Sequence, residues 1–94
     1  MGQLKIKLSK YPLELLENEK LISISIKTYD ENINLNILCK NTDKFIKLIK
    51  DFYNKYPEYK NLDNYFAKNG SKINPNLSLD ENKIKNNDIV VLYQ

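Results

Sequence analysis

The sequence predicts an α+β fold, a mixed sheet of four to five strands with one main helix packed on one face. Three observations predict it. Residues 22–26 and 33–37 alternate strictly between apolar and polar, on either side of a short polar stretch. That is the pattern of a β-hairpin with one apolar face. Residues 45–53 then carry apolar side chains at helical spacing. Near the end, IVVLY (residues 89–93) is a near-continuous apolar run, suited to a central strand buried on both faces.

The elements follow in chain order. Leu4, Ile6 and Leu8 alternate with Gln3, Lys5 and Lys7, the period of a short half-buried strand. Tyr11-Pro12 breaks it. Residues 13–20 (LELLENEK) read as one helical turn or an irregular connection. Residues 1–20 are therefore an N-terminal extension with room for one extra strand, and residues 21–94 form one domain.

In the hairpin, Ile22, Ile24 and Ile26 face one way and Ser23, Ser25 and Lys27 the other. Ile33, Leu35 and Ile37 repeat this against Asn34 and Asn36, with Tyr29-Asp30-Glu31-Asn32 between the runs. Asn41 or Thr42 is the expected helix N-cap, with Asp43 as an acid in the first turn. Phe45, Ile46, Leu48, Ile49, Phe52 and Tyr53 cover an arc of roughly 160°. Pro57 marks the end of the helix.

Residues 62–68 (LDNYFAK) read as a third strand, with Phe66 in the core. Asn69-Gly70 is a hairpin turn, because both residues tolerate positive φ. A short fourth strand holds Ile73 and stops at Pro75. Ser78 and Glu81 have capping-box spacing, with Leu79 and Ile84 set to plug the core. The first and last strands are expected to be parallel neighbours joined by a right-handed crossover.

Composition narrows the function. With 94 residues the chain holds one domain. All 15 basic residues are lysine, and the net charge is +3. Lysine and asparagine share AT-rich codons, which accounts for their abundance without any function. A phosphate-reading surface favours arginine, whose planar fork matches phosphate oxygens, so the composition argues against nucleic acid as partner. The single cysteine, Cys39, excludes an intrachain disulfide, and the absence of histidine removes the commonest general base and metal ligand. No nucleophile–base pair and no metal-ligand spacing is visible, so no enzyme activity, cofactor or metal is expected. No signal peptide or membrane-spanning run is visible either; the expected setting is cytoplasm or nucleus, with no membrane partner.

The order of elements, with these residues, resembles ubiquitin and its relatives, the β-grasp family. The resemblance rests on Ile24-Ser25-Ile26-Lys27-Thr28, on Asn69-Gly70-Ser71-Lys72-Ile73, and on Leu77-Ser78-Leu79 with Ile84 and Asp88-Ile89. It implies a ubiquitin-like β-grasp fold and a non-catalytic role in binding other proteins. The family's apolar patch on the outer sheet face would fall on Tyr29, Ala67 and Tyr93. The plainer account of Tyr29 and Tyr93 is that they are ordinary exposed surface residues.

The closing Asp88-Ile89-Val90-Val91-Leu92-Tyr93-Gln94 is also similar to the end of a SUMO-type domain. SUMO proteins take short apolar peptides as an added strand in the groove between the second strand and the helix. Here that groove would be formed by Leu35, Asn36, Ile37, Leu38, Lys47 and Lys50, the lysines meeting an acidic flank. The plainer account is that Leu35 and Ile37 are core and the lysines a solvated helix face.

Conjugated modifiers of the family end in Gly-Gly, whereas this sequence ends in Tyr93-Gln94 and is not conjugatable as given. Three readings follow. The first is a non-covalent ubiquitin-like interaction module, as part of a larger protein or alone. The second is a SUMO- or ubiquitin-like modifier whose tail lies beyond this sequence. The third is a basic nucleic-acid-binding domain. The N-terminal strand, residues 4–8, adds the expectation that it pairs with the sheet edge of the second strand, masking the groove or building a dimer.

Overall fold

The structure is a computed structural model and describes residues 6–7, 14–61 and 63–94. In chain order its elements are β1 (Ile6–Lys7), β2 (Glu14–Leu15), β3 (Leu21–Thr28), β4 (Asn34–Lys40) and α1 (Phe45–Lys55). A 3₁₀ turn (Pro57–Tyr59) follows, then β5 (Tyr65–Lys68), β6 (Ser71–Lys72) and β7 (Ile89–Tyr93). One sheet has the order β4-β3-β7-β5-β6; β1 and β2 form a separate two-stranded ladder.

The alternating isoleucines set the hairpin register. Ile22 lies opposite Cys39, Ile24 opposite Ile37 and Ile26 opposite Leu35, so the apolar set of both strands shares the face toward α1. β7 then runs parallel to β3 and antiparallel to β5, as the crossover requires. On the helix side Ile24, Ile26, Phe45, Leu48, Phe52, Leu79, Ile84, Val90 and Leu92 are sealed from solvent. Phe52 is the centre of an aromatic cluster, with ring centroids 5.3 Å from Tyr56, 5.7 Å from Tyr53 and 6.1 Å from Phe66. The Tyr53 and Phe66 contacts are edge-to-face and the Tyr56 contact is tilted, and aromatic pairs of this kind add to simple burial.

Two local signals hold as read. Asn69 and Gly70 both take positive φ, 50° and 81°, in the β5–β6 turn. The Ser78 N–H donates to Glu81 Oε1 at 2.9 Å and the Glu81 N–H to Ser78 Oγ at 3.0 Å, a complete capping box.

Other expectations are corrected. The helix begins at Phe45, with Lys44 at the N-cap, no side-chain cap and no acid in the first turn. Its first free N–H groups are taken by backbone carbonyls from the far end of the chain. Phe45 donates to Leu77 O at 3.0 Å and Ile46 to Pro75 O at 2.9 Å. Asn41, Thr42 and Asp43 are freed for other work. Buried Asn41 accepts from the Lys20 N–H at 2.6 Å and donates to Asp80 Oδ2 at 2.6 Å. The Thr42 hydroxyl donates to Glu19 at 2.9 Å, and the Lys40 N–H donates to Asp43 at 2.9 Å.

The third strand starts at Tyr65, and Leu62 lies outside the described residues. Ile73 follows the two-residue β6 and is buried just beyond it. β7 is buried on its α1 face only; on the other face Ile89 is 52% exposed.

Within residues 13–20, Glu14–Leu15 is a strand and Glu17-Asn18 a turn, with no helical turn among the described residues. Ile6–Lys7 pairs with Glu14–Leu15, Ile6 opposite Leu15, and not with β4. Leu4, Leu8 and Tyr11-Pro12 lie outside the described residues. No helix among the described residues is long and apolar enough to cross a membrane.

Candidate protein-binding interface

The sheet face turned away from α1 divides into two halves. Over β3 and β4 it is mostly polar: Ser23, Ser25, Lys27, Asn34 and Asn36, with the Ser25 hydroxyl donating to Asn36 Oδ1 at 2.6 Å, and with Leu21 and the exposed Leu38 at the far end. Over β7 and β5 it is apolar and aromatic. The register sets Tyr65 opposite Tyr93 and Ala67 opposite Val91. The Tyr65 and Tyr93 rings stack, with centroids 5.2 Å apart and planes at 17°. Tyr29 extends the row from the other side, its centroid 5.4 Å from that of Tyr93. The Tyr29 N–H donates to Leu92 O at 2.9 Å, which carries the β3–β7 pairing into the hairpin loop. Lys72 closes the row, with Nζ 5.2 Å from the Tyr65 ring centroid.

The sequence-predicted trio is only partly usable. Tyr29 is 68% exposed, and Tyr93 is half-buried between the two other rings. Ala67 occupies the expected place but is 1% exposed, because its one-carbon side chain sits below its larger neighbours. It offers no contact area. Tyr65, 41% exposed, together with Ile89, Val91 and Lys72, was missed. The signal that finds them is the pairing of Tyr65 with Tyr93, which no single segment displays.

The loop below Tyr29 is held by Asp30. Its carboxylate accepts from the Thr28 hydroxyl and the Asn32 N–H, and reaches Tyr59 Oη at 3.1 Å and Gln94 Nε2 at 3.4 Å. The Thr28 bond first, then those to Asn32 and Tyr59, lowers its pKa to about 2. Tyr29 is thus presented by a loop tied to the strand, to the turn after α1 and to the last residue.

No protein-family model and no curated protein matches the chain. Solved structures do. One, described as "Molecular Mimicry of SUMO promotes DNA repair", aligns with a TM-score of 0.66 at 16% identity, covering 78% of this chain and 90% of that one. A protein designed on the basis of ubiquitin aligns with a TM-score of 0.65 at 18% identity, covering 77% and 85%. The fold is the ubiquitin-like β-grasp.

In this β-grasp the groove between β4 and α1 is small and electrically balanced. It is a space of about 70 Å³ lined by Leu21, Ile37, Leu38 and Cys39 with Lys40, Asp43, Lys47, Leu48 and Asp51. Ile37, Leu38 and Lys47 of the predicted set meet there; Leu35, Asn36 and Lys50 do not line it. Lys47 is already 3.6 Å from Asp43, and Lys40 is 3.5 Å from Glu19. The Glu19 carboxyl is held below its ordinary pKa, first by the Leu16 N–H and then by the Thr42 hydroxyl. An acidic peptide flank would meet Asp43 and Asp51 beside Lys47. Cys39 is buried with Sγ 3.7 Å from Ile22 O, and burial pushes its thiol pKa up to about 11. That is the opposite of what a nucleophilic thiolate needs.

Proposed function

We propose that this β-grasp domain is a non-catalytic protein-interaction module that docks partners on the aromatic half of its outer sheet face. One observation carries the reading. Tyr29, Tyr93 and Tyr65 form a continuous row, flanked by exposed Ile89 and capped by Lys72. Tyrosines held by stacking lose little further entropy on binding and bury a large area. The inert Cys39 thiol favours the non-catalytic part of the reading. The compensated lysines beside β4 favour the sheet face over the strand–helix groove.

The test is a two-hybrid screen of an expression library from the source organism. The screen is repeated with Tyr93→Ala, with Ile89→Asp and with Lys47→Glu/Lys50→Glu. Partners of the sheet face are lost with the first two variants and kept with the third. Loss with the third alone moves the site to the strand–helix groove. Purified pairs should also survive about 0.3 M salt, where a complex built on phosphate contacts weakens steeply.

A further inference from the structure

A second groove, between α1 and the β5–β6 edge, has different chemistry. Ile46, Ile49 and Tyr53 form its helix wall, and Phe66, Ile73 and Pro75 the opposite one. The space is about 470 Å³, within the range of ligand clefts. Lys60 and Lys72 are the charged residues that line it, and no carboxylate lines it among the described residues. The ion pairs formed among the described residues use Lys40, Lys47 and Lys68 instead.

The helix explains why this groove is open. Phe45, Leu48 and Phe52 are the stripe that the sheet buries. Ile46, Ile49 and Tyr53 are the same stripe moved on by one residue, about 100° around the axis. They are only partly buried. α1 therefore carries more apolar arc than its own sheet covers.

We propose that this groove docks an amphipathic helix of a partner protein, with apolar anchors at i, i+3 and i+4 spacing and Asp or Glu on its flanks. Charge complementarity to Lys60 and Lys72 selects the acidic flank. The sheet edge selects the helix. β6 is the edge strand and is two residues long, too short a ladder to hold an added strand. Affinity must come from side chains entering the groove, which is how a helix binds. The proposal is independent of the sheet-face reading, although Tyr65 and Lys72 border both surfaces.

The experiment is an NMR titration of the full ¹⁵N-labelled chain with two synthetic amphipathic peptides. They share one apolar stripe; glutamates flank it in one and lysines in the other. The glutamate peptide should shift Ile46, Ile49, Tyr53 and Ile73, and bind roughly tenfold tighter than the lysine peptide at low salt. Ile49→Asp should abolish those shifts while Ile24 and Leu92 keep their positions. The exposed pair Lys60→Glu/Lys72→Glu, which leaves the apolar walls intact, should reverse the peptide preference. Equal binding of the two peptides, or shifts confined to Tyr29 and Tyr93, would overturn the proposal. So would a single-stranded oligonucleotide that moves the groove resonances when the glutamate peptide does not.

Discussion

Asn41→Leu removes the amide that ties three loops together while keeping a side chain of similar size. Oδ1 accepts the Lys20 N–H and Nδ2 donates to Asp80 Oδ2, both at 2.6 Å, with a longer bond to Asn18 O at 3.4 Å. Leucine leaves the Lys20 N–H without an acceptor in a part-buried site, at a cost of about 1–2 kcal/mol. Losing a donor to Asp80 costs less, about 0.5–1 kcal/mol, because Asp80 is exposed and regains water. The sum is about 1.5–3 kcal/mol. For a chain of this size it lowers Tm by roughly 6–24 °C. Urea unfolding should show a lower midpoint at unchanged slope. Asn41→Asp separates the bonds from the packing. It keeps an acceptor for Lys20 but sets a second carboxylate against Asp80. Two carboxylates at hydrogen-bond distance hold a shared proton, so the folded pair has a raised pKa. The stability that proton supplies is present in acid and lost as pH rises through the raised value. Asn41→Asp should therefore be worse than Asn41→Leu at neutral pH and recover on acidification. If Asn41→Leu stays within about 0.5 kcal/mol of the parent, or Asn41→Asp shows no recovery in acid, the network does not hold the loops.

Three more outcomes follow. Asp30 has a folded pKa of about 2 against an ordinary 3.8, so its contribution is complete above the higher value and lost as pH falls through the lower; Asp30→Asn should flatten that limb of a Tm-versus-pH series. The Cys39 thiol, raised to about 11 by burial, should react with iodoacetamide near pH 8 far more slowly than the unfolded chain, and equal rates would contradict the buried placement. Tyr65→Ala and Tyr93→Ala should each destabilise, and their double-mutant cycle should return about 0.5–1.5 kcal/mol of coupling for rings stacked at 5.2 Å; zero coupling would mean that the rings are not held together in solution.

What the sequence reveals and what it hides follow one physical rule. Features fixed by neighbouring residues are legible. The Ser78–Glu81 box, the Asn69-Gly70 turn and the alternation of Ile22, Ile24 and Ile26 each carry their geometry within a few positions. Features completed by distant backbone are not. A cap read from Asn41, Thr42 and Asp43 fails because the helix N–H groups find the carbonyls of Pro75 and Leu77, which no local pattern announces. The run of residues 89–93 fails for a related reason. Without polar interruption it does not report which face is covered, and only the neighbours Tyr65 and Ala67 place Ile89, Val91 and Tyr93 outside.

The same rule separates the two candidate interfaces. Tyr29 and Tyr93 are reachable from sequence because a resemblance places them on the outer face. Carrying positions over does not carry exposure: Ala67 holds the right register and is too small to reach the surface. Periodicity has the reverse defect on α1. It counts Phe45, Leu48 and Phe52 with Ile46, Ile49 and Tyr53 as one apolar arc and does not divide it. A sheet surface meets a helix along one stripe, so an arc wider than that stripe must leave a second one beside it. Among the described residues the second stripe is faced only by Phe66 of β5 and by Ile73 and Pro75 beyond the two-residue β6. Excess apolar width on an otherwise ordinary amphipathic helix is thus the sequence signal behind the proposed groove, once the width of the covering sheet is known.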